Sequence, residues 1–566
     1  MFDLGAVRPR RIREGDFVPK AASRPCCSGR HIRRQARLVI IVVGCLAWAL
    51  AGATSHGEPG GPQPLPPPRP RESTIPPPID LEPPESLATA DAMEVVPLPE
   101  PLVVGSRPSL SARWDHGLVL ESPGRDFGIR FGGRVQMDVS AFTAGPGPNL
   151  PPAAGGLNPP LSGATNFRRA RLRAEGRLQE VCDWATEFDF ANQMTSFNAS
   201  FPTLGGNGTL PAMKDLWLQI RELPWLGTLR VGNQKDPYGF EHVGDSRWLN
   251  FMERSFNQDA FEGPFNDGYL PGIQLLNRTD DGRVAWYLGE FKNTANPFGF
   301  ADSNGGSQTV GRVVVLPVYE EETGRLLHLG LSGRTMGLAQ LPTTLDESGR
   351  PAGPFIPAVR FRSRGDIRNG PPGPLNSIYA DSGLLGGSWQ NMLGVEFAAN
   401  DGPLSLQAEY FGSWLYDATT TGVDPVNAGF QPAPGTQLGT VFYQGGYLEA
   451  LWFLTGESRG YDLNASRFSR PVPRSNFYSL RDGSGRVITS EGAWQAGIRY
   501  NYLCLSDGEV NGGVLNGVTL GLNWLLNPNA RVYFNYDFTY RDFVNAAGFD
   551  GSGGINGFGV RMAFDF

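Results

Sequence analysis

Several residue types are scarce in this chain of 566 residues, and each scarcity excludes a class of protein. Only two of its five cysteines, Cys182 and Cys504, lie beyond residue 53, so the fold does not rest on a disulfide framework. The four histidines beyond that point form neither a Ser/His/Asp arrangement nor a zinc-like spacing. We therefore expect a protein that is not an enzyme and that needs no metal and no cofactor.

Long apolar runs are also missing after residue 53. No later run reaches the ~18 apolar residues of a helical membrane span. The one apolar stretch, residues 38–53, follows ten basic and three acidic residues and ends in Ala51-x-Ala53. This pattern predicts that residues 1–53 are a secretory signal peptide. A membrane anchor is the alternative, although the 16 residues of this stretch are short for a span.

The net charge and the distribution of proline describe the rest of the chain, beyond residue 53. Beyond residue 53 there are 39 basic and 53 acidic side chains, a net charge near −14 that argues against nucleic-acid binding. Residues 59–108 contain 16 prolines and cannot build a packed core. We predict a disordered periplasmic linker over residues 54–108, or alternatively an arm that contacts the cell wall. Residues 109–566 are then the folded domain.

The segment "NFRRARLRAEGRL" (166–178) places arginine at odd positions and Ala, Leu or Gly at most even ones. A period of two indicates a β-strand with one cationic face and one apolar face. Similar alternation recurs in segments of about 9–11 residues, the length of a tilted strand that crosses a bilayer. The apolar faces are rich in Trp, Tyr and Phe, which a soluble β-sandwich would not need. The last segment, "GFGVRMAFDF", alternates in the same way and ends at Phe566.

These features predict an all-β fold, a transmembrane antiparallel β-barrel. Short and long connections mostly alternate, as expected for periplasmic turns and outer loops. We identify 17 candidate strands, of which "AVRFRSR" (358–364) breaks the short/long order. Assigning it to a loop gives 16 strands, restores the order and leaves 455–491 as an unusually long inner turn.

The polar faces predict which side chains line the lumen. An arginine that faces lipid at mid-depth costs roughly 2–4 kcal/mol, so the alternating arginines should face inward. In the hairpin 166–191, a register in which paired numbers sum to 360 sets Arg171, Arg173 and Arg177 opposite Asp189, Glu187 and Asp183. A shift of two residues would make other pairs. The predicted pore-lining and anion-binding residues are Arg130, Arg134, Arg169, Arg171, Arg173, Arg177, Lys235, Arg360, Arg362, Arg364, Arg499 and Arg531.

Over about 110–566 the sequence resembles the phosphate- and polyphosphate-selective porins O and P. The resemblance is carried by "FGGRVQMD" (131–138), "NFRRARLRAEGRL" (166–178), "VGNQKDPYGFEHVGDSRWLNFMERS" (231–255), "LLHLGLSGR" (326–334), "PLSLQAEYF" (403–411), "YLEALWFLTGESRGY" (447–461) and "FGVRMAFDF". It implies a 16-stranded trimeric barrel with an arginine-lined channel that inward-folded loops constrict. The family's best-known members place a lysine cluster at the constriction. Beyond residue 53 this chain has three lysines, among which Lys235 of "NQKDPYGFE" is the first candidate.

The expected function is a passive channel of the bacterial outer membrane for small inorganic anions. Phosphate or polyphosphate is what the resemblance implies as the solute. A general-diffusion porin without anion selectivity, or a structural barrel tied to the cell wall by its Pro-rich arm, is the alternative. Expected partners are outer-membrane lipid, the barrel assembly machinery through Phe566, and two further copies of the chain in a homotrimer.

Overall fold

The computed structural model describes residues 109–566 except 125, 194–210, 263–267, 294–305, 346–350, 370–375, 424–427 and 482–483. The predicted signal peptide and the predicted Pro-rich linker lie outside the described residues and stay predictions. No helix in the described part of the chain is long and apolar enough to cross a membrane.

Antiparallel β-strands make up most of the described chain, with a 3₁₀ turn at Pro152–Ala154, a short α-helix at Phe240–Val243 and a π-helical turn at Gln258–Glu262. The strands are β1 (Ser111–Trp114), β2 (Leu118–Glu121), β3 (Phe127–Ala144), β4 (Ala164–Leu178), β5 (Cys182–Gln193), β6 (Pro211–Leu223), β7 (Gly227–Lys235), β8 (Tyr269–Arg278), β9 (Val284–Lys292), β10 (Ser307–Glu320), β11 (Arg325–Gly337), β12 (Gln340–Leu345), β13 (Pro351–Arg364), β14 (Ile378–Gly386), β15 (Trp389–Asp401), β16 (Leu404–Thr420), β17 (Gln437–Phe453), β18 (Tyr461–Asp462), β19 (Arg467–Phe468), β20 (Tyr478–Arg481), β21 (Val487–Ser490), β22 (Ala493–Asp507), β23 (Val510–Asn527), β24 (Ala530–Asp542) and β25 (Gly553–Asp565).

Sixteen of these strands form a closed barrel wall, as predicted. The wall runs from β3 to β11, continues through β15, β16 and β17, and ends with β22 to β25. The last strand pairs back with the first, from Ile555 opposite Ala144 to Asp565 opposite Arg134. Closure leaves the wall without a free edge, so every strand pairs on both sides.

The ambiguous segment 358–364 belongs to β13, which lies outside the wall. β11 pairs directly with β15, so β12, β13 and β14 belong to the connection between them. The expectation of a 16-stranded wall is therefore confirmed, and so is the long inner turn, because 454–492 separates β17 from β22.

Side chains alternate between the outside and the lumen along the wall strands. On β4, Leu172 is 54% exposed whereas Arg171 is 6% exposed. On β25, Phe558, Met562 and Phe564 face outward and Arg561 is buried. The outside is thus apolar, as a lipid-facing surface requires.

A β-bulge on β4 breaks this alternation at one place. Gln136 pairs with Arg169 and the next residue, Met137, pairs with Phe167, so Arg168 has no partner in the ladder. The extra residue turns Arg168 inward beside Arg169, and both side chains are buried. Two consecutive arginines therefore enter the lumen.

The segment 236–262, called the lumen loop below, folds into the barrel from the end with the long connections. Its Phe251 and Phe256 pack on the inner wall at Gly521 and Gly517. A Cβ at Gly517 would lie 2.8 Å from the Phe256 ring, and one at Gly521 would lie 2.9 Å from the Phe251 ring. Glycine at these wall positions is what lets the aromatic rings approach so closely.

Two further segments enter the lumen. The described residues between 338 and 388, called the lumen hairpin, reach the wall through Asp366, which accepts hydrogen bonds from Arg499, Asn501 and Thr519. The inner turn (454–492) enters from the opposite end, where the Ser466 carbonyl accepts a hydrogen bond from Arg312 at 3.1 Å. The lumen is therefore narrowed from both ends.

Candidate functional site

The arginine stripe predicted on β4 lies on the lumen wall. Arg171 donates from Nε to Asp189 and from Nη1 to Glu187, each at 2.8 Å. Arg173 donates to Asp215 at 2.5 Å and lies 3.7 Å from Glu187. These arginines therefore have carboxylate partners on the neighbouring strands.

The predicted register of the hairpin 166–191 is confirmed. Arg171 lies opposite Asp189, Arg173 opposite Glu187, and Arg177 opposite Asp183. The period of two and a short turn left a shift of two residues open, and the structure has the register in which paired numbers sum to 360.

Glu187 also binds Arg134 of β3, which lies directly opposite Arg171. Arg134 donates from Nη2 to both oxygens of Glu187 at 2.7–2.8 Å and from Nη1 to Asp245 at 2.7 Å. The buried carboxylate of Glu187 thus bridges the guanidinium groups of Arg134 and Arg171, and the carboxylate of Asp245 joins the lumen loop to the wall. In this part of the stripe the arginines stiffen the barrel and hold the loop.

Arg130 and Arg177 lie near the short-turn end of the same wall. Arg130 donates to Asp115 at 2.9 Å, and Arg177 lies 3.5 Å from Asp183. Their side chains are 40% and 47% exposed, so these pairs are weak and the charges face solvent.

Arg168 and Arg169 point instead at Glu253 of the lumen loop. Arg168 donates to its two oxygens at 2.8 and 3.0 Å, and Arg169 donates at 3.4 Å. Arg561 of β25 donates to the same carboxylate at 2.7 Å, and Arg368 of the lumen hairpin lies 3.9 Å away. We call Glu253 and these four arginines the Glu253 cluster.

The Glu253 cluster carries more positive than negative charge. Two neighbouring carboxylates compensate part of it: Asp138 binds Arg561 at 2.6 Å, and Asp259 lies 3.5 Å from Arg368. Asp259 is itself the ion-pair partner of Arg364. Burial raises the pKa of Glu253, but Arg168 and the other arginines outweigh this and hold it well below the ordinary value. Five arginines thus face three carboxylates in one region of the lumen.

Lys235 lies at the base of the lumen loop. It donates to the carbonyl oxygens of His242 and Gly244 at 2.6 and 3.0 Å. Arg254 also donates to the Gly244 carbonyl, at 2.6 Å, and Arg467 of the inner turn donates to the Val243 carbonyl at 2.8 Å. These three side chains thus hold the end of the short helix Phe240–Val243 through its carbonyl groups.

The three arginines predicted on 358–364 have different partners. Arg360 donates to Asp381 at 2.5–3.2 Å, and Arg364 binds Asp259. Arg362 forms neither a hydrogen bond nor an ion pair with any residue that the structure describes. Burial lowers the pKa of Arg362 to about 10, and Arg360 and Arg364 act in the same direction, so it remains a cation at neutral pH.

Arg499 and Arg531 lie on wall strands and bind the inward segments. Arg499 donates to Asp366 at 2.8 Å and to Glu241 at 3.3 Å. Arg531 donates to the Leu249 carbonyl at 3.2 Å. Both arginines thus anchor a segment that narrows the lumen.

Three buried glutamates lie on the opposite wall. Glu396, Glu409 and Glu449 belong to β15, β16 and β17, across the closed ring from β3, β4 and β5. Glu396 binds Arg312 through both of its oxygens, Glu449 lies 4.0 Å from Arg499, and Glu409 accepts the backbone N–H groups of Phe240 and Glu241 at 2.6 and 2.8 Å. Glu396 and Glu449 therefore have cationic partners, as the carboxylates beside the arginine stripe do.

Sequence reasoning missed several lumen cations. Arg312, Arg334, Arg541 and Arg561 are buried and alternate with apolar residues, so the strand period could have identified them. Arg168 could not be identified in this way, because the bulge reverses its direction. The acidic partners on the lumen loop, Glu253 among them, gave no sequence signal.

Two of the cavities between the inward segments and the wall are lined by several arginines. One lies between the lumen loop and the inner turn, and the other lies against the arginine stripe. Arg459 and Arg467 line the first, whereas Arg130, Arg134 and Arg173 line the second. Both cavities therefore expose guanidinium groups.

Comparison with known proteins identifies one family. The family described as phosphate-selective porin O and P matches residues 130–566. An uncharacterized protein of Caulobacter vibrioides is 25% identical over 491 residues, covering 86% of this chain and 82% of the relative. Porin O of Pseudomonas aeruginosa is 23% identical over 465 residues, covering 80% of this chain and 91% of the relative.

Solved structures of outer-membrane proteins are also similar. An anion-selective porin from Comamonas acidovorans matches with a TM-score of 0.40 at 11% identity, covering 78% of this chain and 100% of the porin. OmpT of Vibrio cholerae matches with a TM-score of 0.41 at 10% identity, covering 78% of this chain and 98% of OmpT.

Proposed function

Because the chain belongs to the family of phosphate-selective porins O and P, we propose that this outer-membrane porin passes small anions, with phosphate or polyphosphate as the preferred solutes. The short-turn end then faces the periplasm and the long connections face outward. Export by residues 1–53, assembly through Phe566 and a homotrimeric state are parts of the same proposal.

The observation that carries the proposal is the excess of arginine around Glu253. Five guanidinium groups face three carboxylates where the lumen loop, the lumen hairpin and the wall meet. A guanidinium group can donate two parallel hydrogen bonds to an oxyanion. A series of weak binding sites along the channel allows the bound ion to dissociate and move on. An anion in this region exchanges part of its hydration for these donors.

Arg362 is the second support, because no hydrogen bond or ion pair joins it to a carboxylate in the described part of the chain, although Asp381 lies opposite it in the ladder. Its neighbours Arg360 and Arg364 are each occupied by a carboxylate. Because Arg362 is half-buried and lies on an inward segment, its guanidinium group can bind a passing anion. The arginines of the β4 stripe are less available to an anion, because carboxylates already pair with them.

A general-diffusion porin without anion selectivity is the second candidate. The neutralised stripe and the buried Glu396, Glu409 and Glu449 of the opposite wall favour it. An outer-membrane enzyme and a barrel that only anchors the cell wall have no such support. The Pro-rich arm on which the anchor depends lies outside the described residues.

The reversal potential across a planar bilayer in a KCl gradient, repeated with sodium phosphate, separates the two candidates. We expect the wild-type channel to prefer anions and Arg362→Gln to reduce that preference roughly two- to fivefold, as loss of ~0.5–1 kcal/mol of favourable charge interaction implies. Arg325→Gln is the matched control, because Arg325 is an exposed, ion-paired arginine next to a short turn. A wild-type channel that prefers cations, or one without preference, contradicts the proposal.

A further inference from the structure

Three side chains of the lumen loop that the anion channel does not use converge at one buried place. Asp236 begins the loop, His242 lies in its short helix, and Glu262 ends its π-helical turn. All three are buried, and one potential ligand atom from each lies within 4.8 Å of the other two. One imidazole and two carboxylates are a ligand set that Zn²⁺ and similar divalent ions accept.

Two of these atoms face each other without a regular hydrogen bond. His242 Nε2 lies 3.0 Å from Asp236 Oδ1, yet neither atom forms a hydrogen bond of normal geometry with any residue that the structure describes. His242 is 3% exposed and Asp236 is fully buried, so water does not satisfy them. A close contact of this geometry satisfies its two buried atoms poorly, and a bound cation would contact both of them.

The other atom of each ligand group is held by a separate side chain. His242 Nδ1 lies 3.0–3.2 Å from the amide group of Gln258. Gln308 donates to Asp236 Oδ2 at 2.9 Å. Arg334 donates to Glu262 Oε1 at 2.8 Å. Outer partners that orient each ligand from behind are characteristic of metal centres.

Gly268 leaves space at the same point. A Cβ there would lie 2.4 Å from His242 Nε2 and 2.9 Å from Asp236 Oδ1, so any side chain would fill the gap between the ligands. Arg334 lies 2.8 Å from Glu262 and 3.6 Å from Asp236, so its guanidinium group approaches both carboxylates of the cluster.

We propose that Asp236, His242 and Glu262 bind a divalent transition-metal ion of the zinc class. The ion would join the beginning, the helix and the last turn of the lumen loop, and would fix the loop where it narrows the channel. Three protein ligands leave at least one coordination position for water or for an oxyanion.

Cobalt is a suitable probe, because Co²⁺ adopts zinc geometries and absorbs visible light. The full-length protein, folded in detergent, is stripped with EDTA, dialysed and titrated with CoCl₂. We expect about one Co²⁺ per folded chain with the d–d absorption of a low-coordinate site, which ZnCl₂ abolishes. His242→Ala and Asp236→Asn should lose both the bound ion and the absorption. His116→Ala is the matched control, because His116 belongs to the N-terminal hairpin and contacts Asn529 rather than the loop.

Heat-modifiable mobility on gels reports whether each variant folds, and Glu262→Gln replaces any variant that does not. If the folded wild-type protein binds no stoichiometric Co²⁺, the proposal is overturned. The cluster is then only a buried Asp–His pair beside an Arg–Glu pair. Retention of the ion by the folded His242→Ala protein also overturns it. Neither result depends on the ion selectivity of the channel.

Discussion

At the scale of single residues, Glu253 determines how much of the arginine excess is available. Its carboxylate contacts Arg168, Arg169 and Arg561 at 2.7–3.4 Å, and Arg368 lies slightly farther away. A buried carboxylate that pairs with several arginines contributes more to positioning than to net stability, because each buried charge also loses hydration.

Replacing Glu253 by glutamine tests this role. The substitution keeps the shape of the side chain and removes one negative charge, so we expect the preference for anions to rise by about 1 kcal/mol, or roughly fivefold. The reversal potential measures the change, and Glu321→Gln on an exposed turn is the control. A folded Glu253→Gln channel with an unchanged or reduced anion preference would show that the cluster lies off the conduction path.

The residues of the β4–β5 hairpin show which contacts could be predicted. Arg171 and Asp189 were paired correctly because strand alternation fixes the face and a tight turn leaves few registers, of which the structure has the predicted one. Arg168 was not assigned to the lumen, because a bulge inserts one residue and no local composition marks its place. Glu253 was missed since its contacts span more than 80 residues and depend on the inward folding of a loop.

At the scale of elements, the lumen hairpin occupies space that the wall alone would leave open. A wall of about 16 strands encloses a water-filled lumen when nothing enters it. Here β13 and β14 pair with each other inside the connection from β11 to β15, and Asp366 binds wall residues across the lumen. The hairpin therefore narrows the channel, and it joins the wall ladder through the β14–β16 pairs Leu385–Thr420 and Gly386–Thr419.

Removing the hairpin should widen the channel and leave the barrel intact. Gly337 and Trp389 already face each other in the β11–β15 ladder, so residues 338–388 can be replaced by Asn-Gly, which forms a tight type I′ turn. We expect single-channel conductance to rise about twofold or more, because the wall alone encloses a wide aqueous lumen.

The control makes the same replacement at a turn outside the lumen. Glu320 and Arg325 face each other across the exposed turn 321–324, so Asn-Gly there shortens the chain without touching the inward segments. Conductance that stays at the wild-type value in the folded hairpin deletion, as it should in the control, would show that the hairpin does not limit the current and that the lumen loop or the inner turn does.

Element boundaries were predictable from the sequence to different degrees. The wall strands alternate clearly, so their number followed once 358–364 was assigned to a loop. The inward direction of that loop was expected from the family resemblance and not from its residues, because a polar segment with arginines is equally suited to solvent. Gly517 and Gly521 allow aromatic rings of the lumen loop to pack against the wall. This contact could not be predicted, because a glycine in a strand can also mark a bulge or a bend.

At the scale of the whole molecule, local and total charge have opposite signs. Between residues 109 and 566 there are 36 basic and 45 acidic side chains, a net charge of −9. The Glu253 cluster is nevertheless cationic, and Glu396, Glu409 and Glu449 stand on the opposite wall. Which charges an ion senses therefore depends on the range of the electrostatic interaction.

Ionic strength sets that range and gives a test for the whole barrel. The Debye length is about 30 Å at 0.01 M, ~10 Å at 0.1 M and ~3 Å at 1 M salt. Near 0.1 M the arginine excess acts on an ion in the narrow region while the distant acidic groups are screened. At 0.01 M those acidic groups come into range, and at 1 M the arginines are screened as well. We therefore expect the anion preference, measured from reversal potentials at a fixed concentration ratio, to be greatest near 0.1 M. A preference that rises steadily toward low salt would mean that local cations outweigh the remaining charge at every distance.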